Sequence, residues 1–229
     1  MLLLLFTGTP ATYVLDVSKS LADVAYRLGF ASLSDLISDA EAYTNVAELY
    51  QFADDAAKKI AYESGVFQNW DTSIAVTVGN AVYSLPANHV FTVLAALING
   101  VSGAPQLLRL TPVRNLWALD ANWSATTGAP VRASLDAGSV GTITLYPKPA
   151  AGSAGTLAQV CQEFPTPPIG SGFTLVPLSV VLQDFFSYAM LAGARGKESE
   201  GAMPEMAAHF QSRCDLYEQI IQHLWGPGQ

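Results

Sequence analysis

The sequence predicts an α+β protein in which a helical bundle, made of N-terminal helices and a C-terminal helix pair, carries an inserted antiparallel β-sandwich or barrel domain. Apolar residues recur every three or four positions on both flanks of the 229-residue chain, whereas they alternate with period two in the middle. Glycine and asparagine turn dipeptides divide only that middle part. The charge follows the same division, with net charges of −6 in residues 1–71, +1 in 72–178 and −3 in 179–229. We therefore expect three segments with these boundaries.

Residues 1–71 are expected to supply the first helices of the bundle. The spacing of apolar residues predicts a short helix over 18–28, which a second short helix follows. The strongest helical pattern covers 46–64, where Asn45 and Glu48 form a capping box. That helix should bury one apolar face against the rest of the bundle.

Residues 72–178 are expected to form the inserted β domain. The turn signal Gly79-Asn80 predicts a hairpin between the strands on either side of it, and Asn99-Gly100 predicts a second hairpin. Thr111 and Pro112 have the residue types that begin a helix. The predicted strands are 74–78, 82–85, 89–98, 106–110, 142–146 and 156–163, and the predicted short helix is 111–119.

Residues 179–229 are expected to form the C-terminal helix pair and a short tail. A proline- and glycine-rich stretch, 165–172, precedes it as a linker. Helical spacing predicts one helix from Leu178 to about Arg195 and another from Met203 to Leu224, with a glycine-rich break between them.

Composition excludes several classes of protein. Charged residues make up 13% of the chain and the pI is about 4.7, which argues against binding to the nucleic-acid backbone because that requires clustered Lys and Arg. Cys161 and Cys214 have no metal-type spacing and are expected to be reduced and buried. The apolar start, Met1 to Phe6, lacks the basic residues of an export signal, and no run is long enough to span a membrane. We expect no cofactor.

The sequence offers little for catalysis. The three histidines, at 89, 209 and 223, are not paired at metal-ligand spacing, and no Gly-x-Ser-x-Gly elbow is present. Asp54 and Asp55 are adjacent and so point about 100° apart on a helix, which predicts a solvated face rather than a catalytic pair. We predict no catalytic, cofactor-binding or metal site, and no enzyme activity.

A few residues are candidates for an interface. Arg195 and Lys197 form the one compact basic group, which could be a solvated loop or a docking contact. The tryptophans could serve a core or an interface equally. The candidate interface residues are Arg195, Lys197, His223, Trp225, Pro227, Trp117 and Trp123.

Short motifs follow one another in a characteristic order between Leu49 and Leu224. They are the helix residues Leu49, Phe52, Ala56 and Ile60; Gly79 followed by Tyr83-Ser84-Leu85-Pro86; Leu116 leading to Trp123 and then Gly128-Ala129-Pro130; Leu145-Tyr146-Pro147-Lys148-Pro149; Leu157 ahead of Pro165; and Leu182-x-Asp184. Their order and spacing resemble the head-to-tail adaptor (connector) proteins of tailed bacteriophages, including tail tubular protein A of short-tailed phages. The residues before Leu49 lie outside the resemblance, and their role is left open.

The resemblance implies a structural virion protein of the neck or tail, assembled in the host cytoplasm as a dodecameric ring under the portal vertex. Such a ring joins the portal to the tail tube or nozzle and forms part of the channel through which DNA is ejected. The implied partners are the chain itself, the portal protein, the tail tube or nozzle protein and a tail fibre; DNA would pass without specific binding, and no membrane is involved. We expect residues 223–229, which include Trp225, to dock on the portal.

Two other functions compete with this one. The β domain could bind a host surface or a fibre, since Tyr83, Tyr146 and Trp123 lie near strand ends, although core packing explains them equally well. A virion enzyme such as a wall hydrolase would need a paired acid and base. The carboxylates of the β domain, Asp120, Asp136 and Glu163, are spread over three segments, which argues against that activity.

Overall fold

The computed structural model describes residues 15–39, 42–100, 103–135, 141–164, 168–170, 175–176, 182–197 and 202–225, with the backbone alone for 175–176 and Trp225. The chain divides into two compact units, one made of Met1–Val66 with Pro165–Gln229 and the other of Phe67–Phe164. We call them the helical unit and the β unit. Their boundaries lie earlier in the chain than the predicted ones at 71/72 and 178/179, and separate folding of the segments stays a prediction.

The helical unit contains most of the helices, numbered with the strands in chain order. A short 3₁₀ turn, Val17–Ser20, precedes α1 (Leu21–Arg27). Strands β1 (Leu15–Asp16) and β11 (Leu175–Val176) pair antiparallel, so that two stretches far apart in sequence lie side by side. The elements are β1 (Leu15–Asp16), α1 (Leu21–Arg27), α2 (Leu33–Ser38), α3 (Val46–Ser64), β11 (Leu175–Val176), α5 (Gln183–Gly196) and α6 (Pro204–Trp225).

Helix α3 has the bounds that its sequence predicts. At its start the Asn45 side chain accepts the backbone N–H of Glu48 at 2.9 Å, as expected of an N-cap. At its end Gly65 adopts a left-handed conformation with φ of 70°, which glycine reaches without steric cost. Local sequence signals therefore determine both ends of this helix.

The core of the helical unit forms where α5 packs against α3 and α6. Helix α5 buries Phe185, Phe186, Met190 and Leu191, and each such side chain contributes about 1.5–3 kcal/mol of hydrophobic stabilisation. A Cβ at Gly193 would lie 2.4 Å from the Phe52 ring, so glycine is what lets α5 approach α3 here. The buried apolar residues on α3 and α6 are Leu49, Ala53, Ala57, Ile60, Ala61, Phe210, Cys214 and Ile221.

The β unit holds one helix and two sheets. The elements are β2 (Gln68–Val76), β3 (Val82–Ser84), β4 (His89–Asn99), β5 (Pro105–Leu110), α4 (Val113–Leu119), β6 (Thr127–Gly128), β7 (Arg132–Leu135), β8 (Thr142–Tyr146), β9 (Lys148–Pro149) and β10 (Gly155–Glu163).

Seven of these strands form a mostly antiparallel, nearly closed, barrel-like sheet in the order β2-β10-β4-β5-β7-β8-β3. Only β5 and β7 run parallel within it. Strands β6 and β9 make a separate parallel pair. The α+β class and the inserted β-sandwich or barrel are thus confirmed.

The interior of the barrel is apolar at its centre. Alternate residues of each strand face inward, so that Leu97 on β4 is paired with Leu157 on β10 and both are buried. The cluster consists of Ile74, Val76, Tyr83, Ala95, Leu97, Leu108, Ala133, Ile143, Leu145 and Leu157.

Two predictions about the β unit are wrong. Gly79 does form a turn, with φ of 80°, but β2 pairs with β10 and β3 pairs with β8 rather than with each other. A turn dipeptide sets the local backbone, whereas pairing is decided by the neighbours that bury the same face. Thr111 does not cap α4, because its hydroxyl donates to the Arg109 carbonyl at 3.0 Å and the helix begins after Pro112.

Candidate interaction surfaces

The histidines occupy three unrelated settings. The Nε2 atom of His89 lies 2.9 Å from the Thr92 hydroxyl inside the β unit. His209 packs edge-on against Phe210, with ring centroids 5.6 Å apart, and His223 is exposed on α6. Among the described residues, no group of three or more His, Cys, Asp or Glu side chains could hold a metal ion.

Both cysteines are free and buried, as predicted. Burial raises the pKa of the Cys161 thiol, and of the Cys214 thiol, to about 12. Both therefore stay protonated at neutral pH, and a thiol rather than a thiolate is a poor nucleophile.

The prediction of a solvated face at Asp54 and Asp55 is wrong for Asp54. Asp55 is exposed, but Asp54 is 5% exposed. Its carboxylate accepts the backbone N–H of Ile169 at 2.9 Å and pairs with Lys58 at 2.6 Å. Asp54 thus fixes residues 168–170, the described part of the predicted linker, onto α3.

Arg195 is not a solvated loop residue. It lies in the last turn of α5 and is 7% exposed. Its Nη2 atom donates to the carbonyl oxygen of Leu28 at 3.1 Å, and its guanidinium lies 5.3 Å from the centroid of the Tyr43 ring. An interface role for Arg195 stays a prediction, and its burial argues against it.

Lys197 behaves differently from its neighbour. Its Nζ atom pairs with the Glu48 carboxylate at 2.6 Å, which ties the end of α5 to the first turn of α3. The Lys197 ammonium, helped by the Thr44 hydroxyl, lowers the pKa of Glu48 against the opposing effect of burial. Part of the lysine remains open to solvent, so an interface role for it stays a prediction.

Of the two neighbouring tryptophans, Trp123 is buried and Trp117 is exposed. Trp123 is 9% exposed, whereas Trp117 on α4 is 58% exposed. The rings contact edge to face, with centroids 6.1 Å apart. Trp117 therefore has the accessibility that an interface residue needs and Trp123 supports it from below; contact of either with a partner stays a prediction.

The C-terminal candidates lie at the end of α6. His223 and the backbone of Trp225 belong to its last turn. Pro227 lies outside the described residues.

Helix α6 also has an exposed apolar stripe that the sequence analysis missed. Leu216, Ile220 and Leu224 are four residues apart, share one face and are all exposed. Its buried stripe, which includes Phe210 and Ile221, lies on a different side. Two apolar stripes on one helix were visible in the sequence and indicate a helix with two neighbours.

A second exposed apolar surface crosses the outside of the barrel. Trp70 on β2 and Leu94 on β4 are both paired with Val160 on β10, so the three form one row, and Trp70 and Leu94 are exposed. Leu107 on β5 is exposed nearby in the same sheet. Contiguous exposed apolar groups of this kind are typical of protein interfaces.

Comparison with known proteins gives the family. The model of the SU10 adaptor protein family matches residues 21–217, which include most of the helical unit and the whole of the β unit. A search of curated proteins gives no match. No helix in the described part of the chain is long and apolar enough to cross a membrane. The chain belongs to the SU10 adaptor protein family, a family of phage head-to-tail adaptors.

Proposed function

We propose that the protein assembles as a dodecameric ring that joins the portal to the tail tube or nozzle and surrounds part of the DNA channel. The observation that carries the proposal is the family match over residues 21–217. Membership itself makes the protein a structural component of the phage particle that contacts other head and tail components. The ring, its individual partners and its assembly in the host cytoplasm are the proposed part.

Two surfaces support a role in assembly. The α6 stripe, with Leu216, Ile220 and Leu224, lies on the helical unit, and the row with Trp70 and Leu94 lies on the β unit. Exposed apolar side chains in such rows are costly in water, and contact with other protein removes that cost. Each unit therefore offers a surface suited to a neighbouring subunit.

The charge supports passage of DNA rather than its retention. The chain carries a net charge of −8, and phosphate binding needs clustered cations that release counterions. An acidic channel wall repels the DNA backbone and leaves it free to move. We therefore propose that DNA passes the ring without specific binding.

We further propose that residues 223–229 dock on the portal. The exposed stripe of α6 continues to Leu224, so the end of this helix is already apolar on its open face. Deleting residues 223–229 should abolish binding to purified portal protein in a pull-down, with the far-ultraviolet circular dichroism nearly unchanged. Arg114→Gln, a change on the exposed surface of the β unit, serves as the control and should bind normally. Full binding by the truncated chain would contradict the docking proposal.

The experiment that tests the main proposal is electron microscopy of particles made by phage that lacks this gene. DNA-filled or leaking heads without tails would support a joint between portal and tail. Complete tailed particles that fail to infect would overturn it and favour host attachment through the β unit. Wild-type protein supplied from a plasmid should restore tailed particles and serves as the control.

A further inference from the structure

Two arginines of the β unit are held side by side. Strands β5 and β7 are parallel neighbours, and Arg109 is paired with Arg132 in their register. Paired residues on adjacent strands point to the same face, about 4.8 Å apart at the backbone. Both side chains line a cavity of about 470 Å³. The fold therefore places two guanidinium groups at one concave surface.

The rest of the cavity wall has both polar and apolar side chains. Asn115 supplies an amide, whereas the Thr111 hydroxyl already donates to the Arg109 carbonyl. Ala118 and Leu119 supply apolar surface from α4. No carboxylate among the described residues lines the cavity. The wall can thus donate several hydrogen bonds to an anion and also hold a short aliphatic stem.

Neither arginine forms an ion pair within the described part of the chain. The four ion pairs there all belong to the helical unit, and none includes Arg109 or Arg132. Like charges on paired positions of a sheet repel each other. Paired guanidinium groups recognise carboxylate or phosphate through parallel N–H donors, so an anion in the cavity would turn this repulsion into attraction.

We propose that this cavity, the arginine pocket, is a carboxylate-binding site that receives an Asp or Glu side chain from the helical unit of a second copy of the chain. The two units differ in charge in the way this requires. Residues 1–66 with 165–229 carry a net charge of −8, whereas residues 67–164 are neutral overall. The acidic surplus therefore lies entirely on the helical unit, and the arginine pair lies on the β unit.

The pocket is less suited to the DNA backbone. A phosphodiester chain is held by a line of cations along its length, while the pocket offers two, beside the apolar side chain of Leu119. An acidic side chain fits both features, since its carboxylate meets the arginines and its methylene groups meet the apolar wall. The inference rests on the proposed ring, in which neighbouring copies present these units to each other at high local concentration.

The test is photo-cross-linking in assembled particles. Ala118, exposed in the pocket wall, is replaced by the photoreactive residue benzoylphenylalanine, and the variant is supplied to phage that lacks the gene. Irradiation should give a covalent dimer of the 24.3 kDa chain, and mass spectrometry should place the second attachment point within residues 1–66 or 165–229. The same residue at Ala121, exposed on the β unit but outside the pocket, is the matched control and should give little dimer.

Charge-neutral variants complete the test. Adding Arg109→Gln and Arg132→Gln to the Ala118 probe should reduce the yield of dimer about tenfold, which corresponds to about 1.4 kcal/mol. Arg114→Gln, on α4 but outside the pocket lining, should leave the yield unchanged. Circular dichroism of each purified variant shows whether it is folded.

Three outcomes would overturn the inference. They are an adduct with a different protein or with DNA alone, no adduct at all, and a dimer whose yield does not depend on the two arginines. In each of these the protein is still present in the particles, so the proposed adaptor role stands. Absence of the protein from particles would instead refute the proposed function itself.

Discussion

Each unit is stabilised internally by a different kind of polar contact. The helical unit joins elements that are distant in sequence through charged side chains, such as Lys59 with Glu218 at 2.7 Å and Lys197 with Glu48 at 2.6 Å. The β unit has no ion pair among its described residues. Helices satisfy their backbone groups internally and need side chains to connect them, whereas strands are connected by the backbone itself. Lysine and arginine side chains therefore connect elements of the helical unit, whereas Arg109 and Arg132 of the β unit form no such pair among the described residues.

The β unit does contain a buried polar network, but it is built around an amide. Gln159 is fully buried, and its Nε2 atom donates to the Asp71 carboxylate at 3.0 Å. Its Oε1 atom accepts from the Thr92 hydroxyl at 3.1 Å, and His89 contacts the same threonine. The network joins β2, β4 and β10 inside the barrel. It fixes the register of three neighbouring strands, as satisfied buried networks do.

The largest expected difference is between Arg195 and Lys197, the two cations at the C-terminal end of α5. Arg195→Met should lower the free energy of unfolding by about 3 kcal/mol, because the buried carbonyl of Leu28 and the partly buried carbonyl of Arg27 lose a charged donor and Tyr43 loses its cation. Lys197→Met should cost at most about 1 kcal/mol, since its ion pair with Glu48 is partly open to solvent. Urea unfolding followed by circular dichroism measures both. Equal losses of unfolding free energy would show that burial does not make the Arg195 contacts stronger than the Lys197 ion pair.

The network of the β unit gives the next largest effect. Gln159→Leu keeps the volume but removes one hydrogen-bond partner each from the buried Asp71 carboxylate and the buried Thr92 hydroxyl, which should cost about 2 kcal/mol. Gln106→Leu is the same change at an exposed position of β5 and should alter stability by less than about 0.5 kcal/mol. Hydrogen exchange of β10 peptides reports the loss locally. Unchanged protection of β10 in Gln159→Leu would show that the backbone hydrogen bonds alone fix the register of β2, β4 and β10.

Acid should weaken the same network. Burial opposes ionisation of Asp71, but hydrogen bonds from Ser73 and Gln159 outweigh it and lower its pKa below 3.8. A carboxyl group whose pKa falls on folding stabilises the protein above its ordinary pKa, and that stabilisation is lost as the pH falls through the folded pKa. Asp71→Asn should therefore cost about 1 kcal/mol at neutral pH and progressively less below pH 3.8.

Urea unfolding of wild type and Asp71→Asn over this pH range measures that change. Asp55→Asn, at an exposed carboxylate of α3, is the control and should show a small difference at every pH. A constant difference between wild type and Asp71→Asn down to the lowest pH would contradict a stabilising charge at Asp71.

The sequence predicts the helices of this protein better than the pairing of its strands. Helix α3 has its predicted bounds because a cap, an apolar period and a terminal glycine all lie within the helix or next to it. The pairing of β4 with β5 was predicted for the same reason, since their turn is local. The pairing of β2 with β10 was not, because these strands are far apart in sequence and only the burial of a common face brings them together.

In the candidate sites, too, features that depend on contacts between distant residues could not be predicted from the sequence. Exposure of Trp117 and burial of Trp123 could not be read from the sequence, since both occur in one short stretch of similar composition. The arginine pocket was missed because Arg109 and Arg132 meet only through a parallel pairing between β5 and β7. The second apolar stripe of α6 was visible in its spacing, since Leu216, Ile220 and Leu224 are separated by four residues.

The smallest expected change in the free energy of unfolding concerns two buried threonines of the barrel, Thr144 and Thr92, and it has opposite signs at the two positions. Thr144 on β8 is 2% exposed, and its hydroxyl has no hydrogen-bond partner among the described residues. A buried hydroxyl without a partner costs free energy, so Thr144→Val should raise the free energy of unfolding by about 0.5–1 kcal/mol. Thr92→Val removes a hydroxyl that bonds Gln159 and should lower it by about 1 kcal/mol. If both variants lose stability, the Thr144 hydroxyl is satisfied in solution, and burial of an isolated polar group is not a weakness of this barrel.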